Sequence, residues 1–87
     1  MADIFTVIKK PLSTEKVVRL IDSQNTLCFN VKKGSTKPLI KEAIEEYFKV
    51  RVEKVNTMIT PKGERRAYVR LAKEHSAMDI ATQLGLI

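Results

Sequence analysis

The stretch that most restricts the fold is EKVNTMITPKGERRAYVRLA, residues 53–72. Val55, Thr57 and Ile59 alternate with Lys54, Asn56 and Met58; beyond TPKGE, Ala67, Val69 and Leu71 alternate with Arg66, Tyr68 and Arg70. A period of two sends successive side chains to opposite faces of a strand. TPKGE supplies the proline and glycine of a tight turn. The stretch reads as a β-hairpin with one apolar and one polar face. Two strands alone are marginal in water, so the remaining chain must add strands and a cover for the apolar face.

It does both. DIFTVIKK alternates loosely as a first strand, and PLSTEKVVRLIDSQN follows as a helix. Ser13 or Thr14 can cap that helix, and Val17, Leu20 and Ile21 form its apolar stripe. With Ser13 as the cap, Leu12 and Val17 stand in the positions of a hydrophobic staple. Lys16 in the first turn opposes the helix dipole. TLCFNV is a second strand with Leu27, Phe29 and Val31 on one side and Thr26, Cys28 and Asn30 on the other. KKGSTK is a turn; Thr36 caps the next helix, with Pro38 in its first turn. Ile40, Ala43, Ile44, Tyr47 and Phe48 give that helix its apolar face, and Glu45 is spaced to pair with Lys49. The last helix starts with Ser76 and Asp79 in capping-box spacing and stops at Gly85. The order β-α-β-α-β-β-α predicts an α+β fold: a four-stranded, mainly antiparallel sheet with helices packed mainly on one face, resembling an α/β plait. The 87 residues, 44% of them apolar, are read as a single domain over 1–87. A chain this short buries only about 60–65% of its unfolded surface, leaving little for a deep cavity.

Charge narrows the function. Sixteen Lys and Arg against ten Asp and Glu give +6 and a pI near 9.7, a balance that favours an anionic partner, nucleic acid first. The excess is uneven: residues 51–72 hold six cations and two acids, whereas the middle helix region is balanced. Lone Cys28 has no internal disulfide partner and suits a reducing cytosol. No apolar run approaches the ~18 residues of a membrane span, and MADIFTVIKK has no secretory pattern. The expectation is a soluble cytoplasmic protein without a membrane partner.

The polar side of the sheet is expected to show Cys28, Asn30, Lys54, Asn56, Met58, Arg66, Tyr68 and Arg70, with no acid among them. Cations neutralise phosphates, amides reach 2′-hydroxyls and base edges, and a ring offers a stacking plane. The plainer reading is a solvated antiparallel face, which also alternates polar with apolar, but such a face normally mixes signs. Helix one could also cover part of this side and turn Met58 and Tyr68 into core. Catalytic chemistry finds no constellation. His75 is the only histidine and precedes a helix cap, Cys28 reads as a small strand filler, and KKGSTK lacks the second glycine and lysine of a phosphate loop. Glu42, Glu45 and Glu46 share a helix turn but suit helix salt bridges better than a metal. The expectation is no enzyme, no cofactor, no metal and no small-molecule substrate.

With these residues placed, the chain resembles the large-subunit ribosomal protein L twenty-three family. VIKKPLSTEKVVRL is similar to its K-P-x-x-[ST]-E-K opening, and VRVEKVNTMITPKGERRAYVRLA to its V-x-x-V-N-T strand and basic return strand. STKPLIKEAIEEYFKVRV fits the helix between, so the resemblance covers roughly residues 5–85. Bacterial members carry a long basic extension where this chain has TPKGE, which makes it similar to the archaeal form. The resemblance implies binding to large-subunit ribosomal RNA beside the polypeptide exit tunnel. It also implies contact with a neighbouring L twenty-nine family protein, and a docking platform for nascent-chain factors such as the signal recognition particle. Glu15 of the [ST]-E-K motif would belong to that platform, and Asn56 and Thr57 of V-N-T fall among its RNA contacts, Asn56 the more so because Thr57 points inward. On this reading Lys9, Lys10, Lys16, Lys32, Lys33, Lys37, Lys54, Arg65, Arg66 and Arg70 neutralise phosphates, while Asn30, Asn56 and Tyr68 meet sugars or bases. Rival readings are a free RNA-recognition module, which wants aromatics on two central strands where only Tyr68 qualifies; a small acylphosphatase-type enzyme, which needs a glycine-rich anion loop; and a protein-interaction domain.

Overall fold

The computed structural model describes residues 7–12 and 14–85. Its elements are β1 (Ile8–Pro11), α1 (Glu15–Gln24), β2 (Thr26–Val31), α2 (Lys37–Phe48), β3 (Val52–Ile59), β4 (Arg65–Leu71) and α3 (Ala77–Gln83). The fold is α+β, in the order expected. All four strands join one antiparallel sheet in the spatial order β1-β2-β4-β3. Residues 3–6 of the expected first strand, and Ser13 as a helix cap, lie outside the described residues.

Local chemistry sets each helix boundary. Thr14 caps α1, its Oγ1 accepting the Val17 N–H at 3.2 Å, and Thr36 and Ser76 do the same for α2 and α3. These bonds satisfy donors that the first helical turn leaves unpaired. Pro38 sits in the first turn of α2, where a missing N–H costs nothing. Gly85, with φ 75, follows the last residues of α3 as expected. The Glu45 carboxylate turns away from Lys49 and accepts the Val52 N–H at 2.9 Å. Lys49 has left the helix, with φ 58, so it no longer shares the surface on which an i, i+4 pair forms.

The apolar sides of the strands and helices meet in one core. Leu27, Phe29, Val31, Val55, Ala67, Val69 and Leu71 of the sheet pack with Ile40, Ala43 and Ile44 of α2, Val17 and Ile21 of α1, and Ala77, Ile80 and Ala81 of α3. The Phe29 and Phe48 rings stack at 6.4 Å, which fixes α2 on the Phe29 side of the sheet. Asn25 ties the helices to the sheet. It ends α1 in the left-handed region at φ 53, a position that asparagine tolerates better than most residues. Its Nδ2 donates to the carbonyls of Leu71, Ala72 and His75, and its Oδ1 accepts the Ala77 N–H at 2.7 Å.

Ile59 departs from the expected pattern. It is on the apolar side of β3 yet 70% exposed, because the hairpin extends past the core while its turn closes through Thr60 N–H to the Glu64 carbonyl at 2.8 Å.

Candidate nucleic-acid interface

The polar side of the sheet is less open than alternation alone predicts. Every residue of β2 is buried, including the outward-facing Thr26, Cys28 and Asn30. As an interior strand, β2 has β1 on one side and β4 on the other, with α1 beside it. Leu20 and Gln24 of α1 line a hollow of about 250 Å³ together with Thr26, Lys54, Asn56, Tyr68 and Arg70. Helix α1 therefore borders the polar face, and Tyr68 is half-buried against the core, a wall of this hollow more than a free stacking plane. Met58 stays exposed.

Cys28 shows the effect of that cover. Burial pushes its thiol above the ordinary range, while Arg66, a hydrogen bond with Tyr68, and Lys16 pull it back more weakly. A protonated, enclosed thiol is a poor nucleophile. Asn30 is also enclosed: its Nδ2 donates to a Glu64 carboxylate oxygen at 2.9 Å. A carboxylate only accepts, so this bond fixes the amide with Oδ1 as its remaining acceptor. That Oδ1, with Arg65 Nε and Arg66 Nε, is buried without a partner among the described residues.

Two acids reach a face that was expected to have none. The register shifts between Val52 and Lys54, so Glu53 is an extra residue on β3. A bulge sets two residues against one on the partner strand, and Glu53 approaches Arg70 Nε at 3.9 Å. Glu64, in the hairpin turn, is the second. Both temper the cationic character without reversing it.

The cations gather in two places. Lys9, Lys10, Lys33, Lys62 and Arg65 line an open cleft of about 460 Å³ with Asn30 and Glu64, between β1 and the hairpin turn. Lys54 and Arg70 flank the smaller hollow. Arg66 sits on β4 directly opposite Asn30 on one side and Met58 on the other. Sequence reasoning missed Lys62 because it treated TPKGE only as a turn; the excess of cations over residues 51–72 was the signal that could have found it. Lys16, Lys32 and Lys37 are exposed but line neither recess. Glu15 opens α1, exposed, and pairs with Arg19 at 3.0 Å one turn later. No group of three His, Cys, Asp or Glu among the described residues could hold a metal, and no described helix is long and apolar enough to cross a membrane.

Comparison with known sequences decides the family. The profile of the family described as Ribosomal protein L23 matches residues 6–80. The chain belongs to this family. Large ribosomal subunit protein uL23 of Methanothermobacter thermautotrophicus is 54% identical over 84 residues, covering 97% of this chain and 98% of its own length. Its counterpart from Pyrobaculum aerophilum is 48% identical over 81 residues, covering 93% of this chain and all of its own. Membership makes the chain a structural component of the large ribosomal subunit, not an enzyme, and locates it on the cytoplasmic ribosome. Both uL23 relatives cover nearly the whole of this chain.

Proposed function

We propose that this L23-family chain binds large-subunit ribosomal RNA through the polar side of its sheet and the cleft between β1 and the hairpin turn, close to the polypeptide exit tunnel. The observation that carries the reading is the gathering of cations into the cleft of Lys9, Lys10, Lys33, Lys62 and Arg65 and the hollow of Lys54 and Arg70. Phosphates are held there as point-charge and bidentate partners, while exposed Asn56 and half-buried Tyr68 meet sugar or base. Arg66 lies between the two recesses. Lys16, Lys32 and Lys37 act at longer range, and Asn30 orients Glu64 and the cleft wall more than it reads a base. Glu15, at the exposed start of α1, serves a protein-docking surface. Its partners are an L twenty-nine family neighbour and a nascent-chain factor such as the signal recognition particle. The domain acts as one unit over 1–87.

The test is retention of transcribed ribosomal RNA fragments at about 150 mM salt with excess transfer RNA as competitor, conditions that suppress purely electrostatic binding. Selective retention of a discrete large-subunit fragment is expected. Equal retention of every fragment, lost on adding transfer RNA, would reduce the cations to general adhesion and remove the specific reading.

A further inference from the structure

The sheet runs on past the helices that cover it. Val31 of β2, Arg65 of β4 and Ile59 of β3 form one cross-strand row on the apolar side. Burial falls off along that row: Val31 is 1% exposed, Arg65 is half-buried and Ile59 is 70% exposed. A single exposed isoleucine is ordinary; the surroundings of this one are not. Ile59 borders a recess of about 320 Å³ whose other walls are Lys33, Gly34, Gly63 and Arg65, with no acid among them. Gly34 and Gly63 hold positive φ, 86 and 84, and open space lies where a Cβ would stand on either. Glycines of this kind let a ligand approach the backbone closely.

Lys33, Gly63 and Arg65 also line the cation cleft, so the two recesses adjoin at these three residues. They differ in what they offer. The cleft adds Lys9, Lys10 and Lys62 with Asn30 and Glu64, whereas the recess adds an apolar side chain and bare backbone. A phosphate held by Lys33 or Arg65 carries a sugar and a base, and the nearest apolar surface for that base is Ile59.

Building on the RNA-binding function proposed above, we propose that the Ile59 recess seats one unpaired RNA base, with its flanking phosphates on Lys33 and Arg65 at the boundary with the cleft. Loops and bulges present such bases free of their stack, and isoleucine is among the apolar side chains that nucleic-acid-binding proteins set against bases. A bare phosphate would leave Ile59 in water. A second copy docked through the same patch would set its Lys33 and Arg65 against this chain's own.

The test uses the full chain with ¹³C-labelled isoleucine methyls and ¹⁵N-labelled amides. Its probes are a short oligoadenylate RNA and inorganic polyphosphate, which carries phosphates without bases. Both should shift the Lys33 and Arg65 amides. Only the RNA should give the Ile59 methyls the shift of an aromatic ring current, with the buried Ile40 and Ile44 methyls unmoved. Ile59→Ser should weaken RNA binding about fivefold, the low end for loss of one base contact, and leave polyphosphate binding unchanged. Ile59→Phe, which offers a flat ring, should bind the RNA at least as tightly as the wild type. Unchanged Ile40 and Ile44 methyls in each variant would show that it folds. Three outcomes would overturn the proposal. In the first, the RNA shifts Lys33 and Arg65 but not the Ile59 methyls, which removes the base and leaves the RNA-binding function standing. In the second, Ile59→Ser weakens RNA and polyphosphate equally. In the third, Ile59 shifts on concentrating the chain alone, or with an uncharged valine–serine peptide and not with RNA, which assigns the surface to protein. If neither probe moved Lys33 or Arg65, phosphate binding in the cleft would fail together with the base site.

Discussion

At the scale of single residues, Asn25 joins the end of α1 to the end of β4 and the start of α3 through one side chain. Its two amide hydrogens serve three carbonyls, the contact to His75 being 2.8 Å and those to Leu71 and Ala72 being 3.2 and 3.3 Å. Asn25→Gly keeps the left-handed backbone and isolates the side-chain loss. It is expected to cost about 2 kcal/mol, or roughly 8–16 °C in Tm for a domain of this size, measurable by thermal denaturation. A change under about 2 °C would show that water replaces these bonds. Nothing in the pattern IDSQNTL marked Asn25 for this role, because its partners lie 46 to 52 positions away; only its position at a helix end was legible. Cys28 gives a second prediction. Its raised pKa means that the native chain holds the thiol proton more tightly than the unfolded chain. That stability is complete below the unfolded thiol's range and is lost as pH rises through the folded pKa. Between about pH 7.5 and pH 10 the wild type should lose more stability than Cys28→Ala in urea titrations. Parallel losses would show that the thiol is not linked to folding.

At the scale of elements, hydrophobic period was enough to order all seven, because each amphipathic stripe in this chain has one apolar layer to join. The bounds of β2 and the cap at Thr36 follow directly from TLCFNV and STKP. Two features of the sheet did not follow. The bulge at Glu53 changes which face an acid occupies, and alternation counted without it puts Glu53 on the wrong side. The cover over β2 depends on where α1 lies, which a helical stripe cannot specify. The bulge has a functional consequence. The Glu53–Arg70 pair is half exposed on both sides, and such pairs add little to stability, so Glu53→Gln should leave Tm nearly unchanged. Removing that carboxylate beside phosphates should nonetheless raise RNA affinity about threefold at low salt, read by filter binding. An unchanged affinity would place the RNA away from the Lys54–Arg70 hollow.

At the scale of the whole molecule, the question is whether net charge or its placement governs binding. Each phosphate neutralised releases condensed counterions, so six contacts should weaken binding about a thousandfold between 50 and 200 mM salt. A chain carrying +6 could show some salt dependence from any surface, so the slope by itself does not locate the contacts. Two double variants separate the possibilities, because both remove the same charge. Arg66→Gln with Arg70→Gln takes cations from the polar side of the sheet, and Lys41→Gln with Lys73→Gln takes exposed ones that line neither recess. If placement governs, the arginine pair should lower the slope of log affinity against log salt by about two phosphate equivalents and weaken binding at every salt concentration. The lysine pair should act only through long-range attraction, a small effect that fades once the Debye length falls below about 10 Å. Equal losses from both pairs would mean that RNA is held by the chain's total charge, and the polar side of β4 would lose its claim to be part of the site.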